Sequence, residues 1–314
     1  MNVNQISVAH TAEHIFVGTL QKIIDDVVVV KVEQDENHNV VVLKSSKLTW
    51  NSIEQAEIIT NEVISQSLEV KTTNYDDLAS AKLDIPTLRS MDEKISGTVS
   101  VVSIGEYDYS ACNKKHTENS IQCELFVITD FMKTSEEVYD LKFEVGNRAK
   151  KFAIINSNRS IQISKILNAP FETLIKNIEN LKTENELLTK NIRSLTLREL
   201  SAIKPSVVND VNFYNIILEN CDRKKLQSWC SSMIKSNNMF LQIADKSTDT
   251  MLVICRSDNI GVNVNEIISE SMKKYGGKGG GRENFVVVKV EGTNSEEFFE
   301  NLKNDIINVL KSIS

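Results

Sequence analysis

A chain of 314 residues, 41% hydrophobic and 25% charged, has the composition of an ordinary globular protein long enough for two or three domains. No apolar run approaches the roughly 18 residues of a membrane span, and the opening Met-Asn-Val-Asn-Gln has neither a basic stretch nor an apolar signal core, so a cytoplasmic protein is expected. Five cysteines in so long a chain do not make a disulfide framework, and a net charge of −7 argues against loose binding to nucleic acid at large.

In chain order, residues 11–24 read as a helix, 27–32 and 40–43 as strands around a polar turn at 35–39, and 53–68 as a helix. Residues 94–104 and 123–129 read as strands. Asn168 near a cap and Pro170 in a first turn mark the start of a long helix that Pro205 closes. Between the prolines lie about 34 residues without Gly or Pro, roughly 50 Å of helix if continuous. Beyond Pro205, strands at 213–218, 239–244, 250–255 and 285–290 alternate with helices at 223–236, 264–275 and 295–313. The predicted class is α+β, with domains at 1–155 and 206–314 joined by a helical segment, 156–205.

Within the long helix, Leu174, Leu181, Leu188 and Leu195 recur every seven residues, with Ile178, Asn185 and Ile192 four residues after the first three. Leucine at d with Ile, Asn, Ile at a is the pattern of a parallel two-stranded coiled coil whose one buried Asn sets register. A homodimer through residues 170–200 follows from that reading. A helix packed on its own domain, or an antiparallel hairpin, is the alternative.

The chain has only four histidines, and three of them fall in two four-residue spacings: His10-Thr-Ala-Glu-His14 and Cys112-Asn-Lys-Lys-His116. On a helix, i and i+4 side chains lie one turn apart on one face, so two imidazoles can reach one ion. A turn with three residues between Cys and His adds a thiolate and a third imidazole. Three imidazole nitrogens and one thiolate sulfur suit one Zn²⁺. His10 and His14 lie roughly opposite the apolar stripe of Ile15, Phe16, Thr19, Leu20, Ile23 and Ile24, so the expectation is a metal pair, or solvent-exposed histidines, rather than core ones. Glu13 is expected to point away from His14 and is not assigned as a base. Four protein ligands complete a tetrahedron, as in a structural site. Catalysis would need an opened or five-coordinate ion.

Two basic stretches could contact RNA or simply be solvated. Residues 142–165 carry six Lys/Arg against Glu144 alone, and 273–282 carry Lys273, Lys274, Lys278 and Arg282 with no acid. The second contains Gly276, Gly277, Lys278, Gly279, Gly280, Gly281 and Arg282. Such a run lets backbone N–H groups approach a phosphate, or it is a flexible connector. It is not a P-loop, which precedes its helix and ends in Gly-Lys-Ser/Thr.

Taken together these segments resemble the alanyl-tRNA editing family. His-Thr-Ala-Glu-His is similar to its first zinc motif. Tyr109-Ser-Ala-Cys112 with His116, Asn119 and Ser120 is similar to its second. Gly146-Asn-Arg-Ala149 is similar to the segment closing its editing domain. The long helix and the Gly-Gly-Lys-Gly-Gly-Gly-Arg run resemble its C-terminal region, with the glycine-rich domain named for its association with Asp-His-His phosphoesterases. The resemblance implies a zinc-dependent deacylase acting in trans on mischarged Ser-tRNA(Ala), and in some members on Gly-tRNA(Ala), with tRNA(Ala), not DNA or a membrane, as partner. It implies no tRNA charging, because no synthetase core precedes the first motif in this sequence. It implies no phosphoesterase chemistry, because there is no Asp-His-His motif. Asn113-Lys114-Lys115 stands where the family usually has Gly-Gly-Thr. The N-terminal β-rich subdomain of longer relatives is not in this sequence.

Overall fold

The computed structural model describes residues 5–35, 38–90, 97–247, 249–290 and 295–313. The chain folds as two compact units, Met1–Leu174 and Ile175–Ser314, both mixing helix and sheet.

The first unit opens with helix α1 (Gln5–Ile23), buried continuously from Ser7 to Leu20. A hairpin of β1 (Val28–Gln34) and β2 (Asn39–Lys44) follows, then α2 (Trp50–Ser65). Thr49 starts α2: its hydroxyl accepts from the Ser52 N–H and the Ser52 hydroxyl accepts from the Thr49 N–H. That reciprocal pair satisfies donors a helix start leaves open. The strands β3 (Val70–Tyr75), β4 (Val99–Ile104) and β5 (Asp108–Ala111) form a three-stranded antiparallel sheet, with α3 (Leu78–Asp84) between β3 and β4. A hairpin of β6 (Phe126–Ser135) and β7 (Val138–Val145) completes a four-stranded antiparallel sheet in the order β1-β2-β7-β6.

The core of this unit lies between that sheet and helices α1 and α2. Phe16 stacks on Phe126 at 5.0 Å between ring centroids, and Phe126 meets Phe143 at 5.0 Å. Leu20, Leu43, Ile53 and Leu141 are fully buried around them. Each such side chain contributes about 1.5–3 kcal/mol relative to exposure. Helix α4 (Gly146–Leu167) leaves β7 and buries only Gly146 and Ala149.

The second unit contains nearly all of the 29-residue helix α5 (Leu174–Ala202). After it come β8 (Ser206–Val208), β9 (Val211–Glu219), α6 (Arg223–Met233), β10 (Met239–Lys246), β11 (Thr250–Arg256), α7 (Val264–Tyr275), β12 (Lys278–Arg282), β13 (Phe285–Val290) and α8 (Ser295–Ser312). The sheet order is β12-β13-β11-β10-β9-β8. Only β9 and β10 run parallel, and α6 makes the crossover between them. Side chains alternate between two cores, as a period of two requires. Phe240, Ala244, Leu252 and Ile254 meet Ile268, Phe298 and Leu302 from α7 and α8. Leu241, Ile243, Val253 and Cys255 meet Leu226 and Cys230 of α6 and Leu200 of α5.

Several expectations shift. Residues 123–129 are not one strand. Cys123 ends a 3-10 turn over Ser120–Cys123 capped by Asn119, Glu124 turns the chain at φ 59°, and the strand begins at Phe126. Asn168 is not a helix start but the left-handed C-cap of α4, at φ 48°, a conformation asparagine tolerates well. Pro170 precedes a 3-10 turn over Phe171–Thr173, and α5 begins at Leu174. Residues 278–282 of the glycine run are not a loop but the edge strand β12. Residues 94–96 of the strand expected over 94–104, residues 36 and 37 of the polar turn, and the opening tetrapeptide fall outside the described residues. Leu174, at the start of the α5 seam, is buried at 7%, as are Thr196 and Leu200 beyond its end, at 2% and 0%. From Ile178 to Leu195 the apolar seam positions run from 42% exposed at Ile192 to 58% at Leu188, so the described residues leave that stretch open. Among the described residues, no helix is long and apolar enough to cross a membrane.

Candidate metal centre

The i, i+4 spacing on α1 brings His10 and His14 to 4.6 Å between ring centroids, with Nε2 to Nε2 at 3.3 Å. Cys112 follows the end of β5, anchored by its N–H to the Ser100 carbonyl at 2.8 Å, and its Sγ lies 3.1 Å from His10 Nε2. The His116 ring centroid is 4.8 Å from those of both His10 and His14. One ligand atom from each of the four residues falls within 4.8 Å of the other three.

The loop carrying His116 is tied to α1 through the neighbours of the ligands. Thr117 N–H donates to Thr11 Oγ1 at 3.0 Å, and the Thr11 hydroxyl donates to the Ser7 carbonyl at 2.9 Å. Thr11 follows His10 and Thr117 follows His116, so the two motifs are sewn together one residue beyond each ligand.

The donor set fits a tetrahedral cation. Zn–N near 2.0–2.1 Å and Zn–S near 2.3 Å require ligand–ligand edges of about 3.3–3.6 Å; here His10 to Cys112 is 3.1 Å, His10 to His14 is 3.3 Å, and every pair lies within 4.8 Å. Burial, reinforced by His116 and Lys114, pushes His10 down to about 3; burial likewise pushes His116 down to about 4, and His14 well below the usual imidazole range. All three rings are therefore neutral at pH 7, with a lone pair to give. His14 Nδ1 and both ring nitrogens of His116 are buried with no hydrogen-bond partner among the described residues. Orphaned buried imidazole nitrogens are costly in a folded protein unless a cation receives them.

The histidines themselves are not on an exposed face. His10 is 4% and His14 5% exposed, because α1 is covered on every side. The carboxyl of Glu13 does not point away from them either. Its Oε2 lies 3.4 Å from His10 Nδ1 and 3.9 Å from His14 Nε2. A helical projection places Cβ, and the glutamate's remaining methylenes curl back over the turn. Burial raises Glu13 to about 7, opposed by Arg89 and Lys114.

A cavity of about 960 Å³ opens on His10, His14 and Cys112 and continues past Arg89, Lys114 and the apolar wall of β1 at Val30. His116 is not among its lining residues. Arg89 forks onto Asp108, Nε to Oδ1 at 2.8 Å and Nη2 to Oδ2 at 2.6 Å, and Nη2 also donates to the His14 carbonyl at 3.1 Å. Nothing in the spacing of the sequence marked Arg89, Asp108 or Gln34, whose Oε1 is 2.8 Å from His10 Nδ1. The run Gly276–Arg282 belongs to the second unit, and its Lys278–Arg282 strand is exposed along its whole length.

No family model matches the chain. It is 25% identical to the alanyl-tRNA editing protein AlaX-L of Pyrococcus horikoshii, over 92% of this chain and 71% of that protein. It is 23% identical to the alanine–tRNA ligase of Buchnera aphidicola subsp. Baizongia pistaciae, over 89% of this chain but only 33% of the ligase. Among solved structures, the C-Ala domain of alanyl-tRNA synthetase from Aquifex aeolicus matches 35% of this chain and 100% of that chain, at 21% identity and a TM-score of 0.31. With the match to the editing protein covering 92% of this chain, the chain is a distant homologue of the alanyl-tRNA editing protein and of the aligned third of alanine–tRNA ligase.

Proposed function

We propose that this chain is a zinc-dependent trans-editing hydrolase that deacylates mischarged Ser-tRNA(Ala) and Gly-tRNA(Ala). The observation that carries the reading is the placing of three of four candidate zinc ligands on the wall of a cavity of about 960 Å³, in a homologue of an alanyl-tRNA editing protein. That volume is at the upper end of the roughly 300–1,000 Å³ typical of small-ligand sites, and suits an aminoacylated nucleoside better than a free amino acid.

His10, His14, Cys112 and His116 would hold the ion, which would act as a Lewis acid on the ester carbonyl. The valines of β1 give the cavity an apolar wall, and Lys114 puts a cation at the ligand cluster, where an RNA phosphate arrives. Residues 1–155 would be the editing domain and 206–314 a tRNA-binding domain of the glycine-rich, Asp-His-His-associated type, with Gly276–Arg282 against the phosphate backbone. Residues 156–205 would supply a dimerisation helix, and the protein would work in the cytoplasm.

One observation favours a second reading, a zinc-containing tRNA-binding dimer without deacylase activity: four protein ligands already complete a tetrahedron. Incubating the purified protein with Ser-, Gly- and Ala-tRNA(Ala) separates the two. Serine release that vanishes in Cys112→Ala supports the hydrolase. Tight tRNA binding with zinc present and no release supports the binding module.

A further inference from the structure

Gln34 is the last residue of β1, and its Oε1 lies 2.8 Å from His10 Nδ1. A neutral imidazole carries one N–H. If Nδ1 donates it to Gln34, Nε2 keeps its lone pair, and Nε2 is the atom facing Cys112 Sγ at 3.1 Å and His14 Nε2 at 3.3 Å. We propose that Gln34 is the positioning residue of the metal centre: it holds His10 in the Nδ1–H tautomer, with the ring turned so that Nε2 can ligate. The proposal rests on the metal-binding reading of the four-residue cluster and adds the residue that prepares one of its ligands.

A fault in the strand pairing puts Gln34 there. Val29 pairs with Leu43, but Lys31 pairs with Val42, so Val30 is an extra residue in β1. A bulge of this kind exchanges the faces of everything beyond it. Val29 and Val32 both pack on the core, and Gln34 pairs with Asn39, which is 3% exposed. Without the bulge, Glu33 would take the inward position and Gln34 would face out.

A rival acceptor is present. Glu13 Oε2 approaches the same Nδ1 at 3.4 Å, farther than Gln34, and is shared with His14 Nε2 at 3.9 Å. Glu13 shares α1 with His10, whereas Gln34 reaches it from the β1–β2 hairpin and fixes the ring against a second element. The amide has one workable orientation. Turned over, its nitrogen would donate to Nδ1, the imidazole proton would move to Nε2, and Nε2 could not bind a cation.

The test compares wild type, Gln34→Met, which keeps length but removes the acceptor, and Gln34→Glu, which restores one. Zinc affinity is measured by chelator competition, cobalt-substituted spectra report tetrahedral thiolate ligation, and ¹⁵N NMR of the zinc-loaded protein reads the His10 tautomer. Removing the acceptor should weaken zinc binding about 10–100-fold, lower the tetrahedral cobalt absorption and lose the protected Nδ1–H. The glutamate variant should stay near wild type. Metal-free proteins that unfold at one midpoint would place the loss at the ion and support the proposal. Equal zinc affinity in the methionine variant, or ligation of His10 through Nδ1 in the wild type, overturns it. Wild type that takes up no zinc overturns the metal reading itself, and the proposal with it.

Discussion

Gly18 and Asp108 are packed so closely that a methyl group on Gly18 would stand 2.4 Å from Asp108 Oδ1. The carboxylate is held there by the Arg89 fork, and Arg89 in turn donates to the His14 carbonyl, so the bare side of α1 is what admits this bridge. In an open helix, Gly→Ala would stabilise by about 1 kcal/mol. Here Gly18→Ala should destabilise by about 1–3 kcal/mol, as overpacking does. Asp108→Ala leaves Arg89 without its partner and should cost about 3–5 kcal/mol. In the double variant the clash is gone, so its loss should fall short of the sum. Urea unfolding of the four proteins decides it: a stabilising Gly18→Ala, or strict additivity, would deny the contact.

Acid stability should depend on Asp26. The hydroxyl of Ser45 donates to its Oδ1 at 2.5 Å, and the hydroxyl and N–H of Ser46 donate to its Oδ2 at 2.6 and 2.8 Å. These bonds, the two hydroxyls first, hold the carboxyl down at about 2, against 3.8 for the free group. Between those values the unfolded chain binds more protons than the folded one, so stability falls as the solution is acidified. The contribution is whole above about pH 5 and is lost progressively as the pH falls through the folded-state value, being gone at about pH 1. Asp26→Asn should therefore show a shallower loss of unfolding midpoint across that window than wild type. Parallel curves would mean that the turn does not depend on the charge.

The cluster of His10, His14, Cys112 and His116 was legible because histidine is scarce and its spacing is chemical. Thr11 and Thr117 sit inside the motifs, yet their bond joins residues 106 positions apart, which spacing cannot show. The second unit's main strands and helices were legible as well, because β10, β11 and β13 are dense in branched apolar residues facing two cores. Strand β12 was not. Glycines carry no side chain to betray a strand, and only pairing with β13 makes one. β3 and β5 are short and polar, so no alternation announced them. The expectation for His10 and His14 assumed a helix with one wet face, and α1 has none. Gln34 depends on a bulge at Val30, a feature of pairing rather than of either strand's sequence.

Asn185 is exposed, midway along a seam whose Leu181 and Leu188 are 50% and 58% exposed. Paired in a coiled coil, an a-position asparagine costs stability and selects register. Asn185→Leu should raise the thermal midpoint while broadening the sedimentation distribution into mixed oligomers. A wild-type protein sedimenting as a monomer at micromolar concentration would show that the seam is not intermolecular.

Lys278 and Gly279 separate charge from strand architecture at the sheet edge. Gly279 lies at φ 154°, and a Cβ there would stand 2.1 Å from the Val287 carbonyl oxygen, main chain that cannot swing aside. Gly279→Ala should therefore strip β12 from β13, read as faster amide exchange at the Val287 and Lys289 N–H groups, which face β12. Lys278 is exposed, so Lys278→Ala should leave that exchange unchanged. If the strand meets an RNA phosphate, the lysine variant should reduce the slope of log affinity for tRNA against log salt by about one. Its affinity should fall alike for matched and unrelated tRNAs, since a phosphate contact reads no bases. A slope unchanged in Lys278→Ala, with β12 intact, would remove this edge from the tRNA interface.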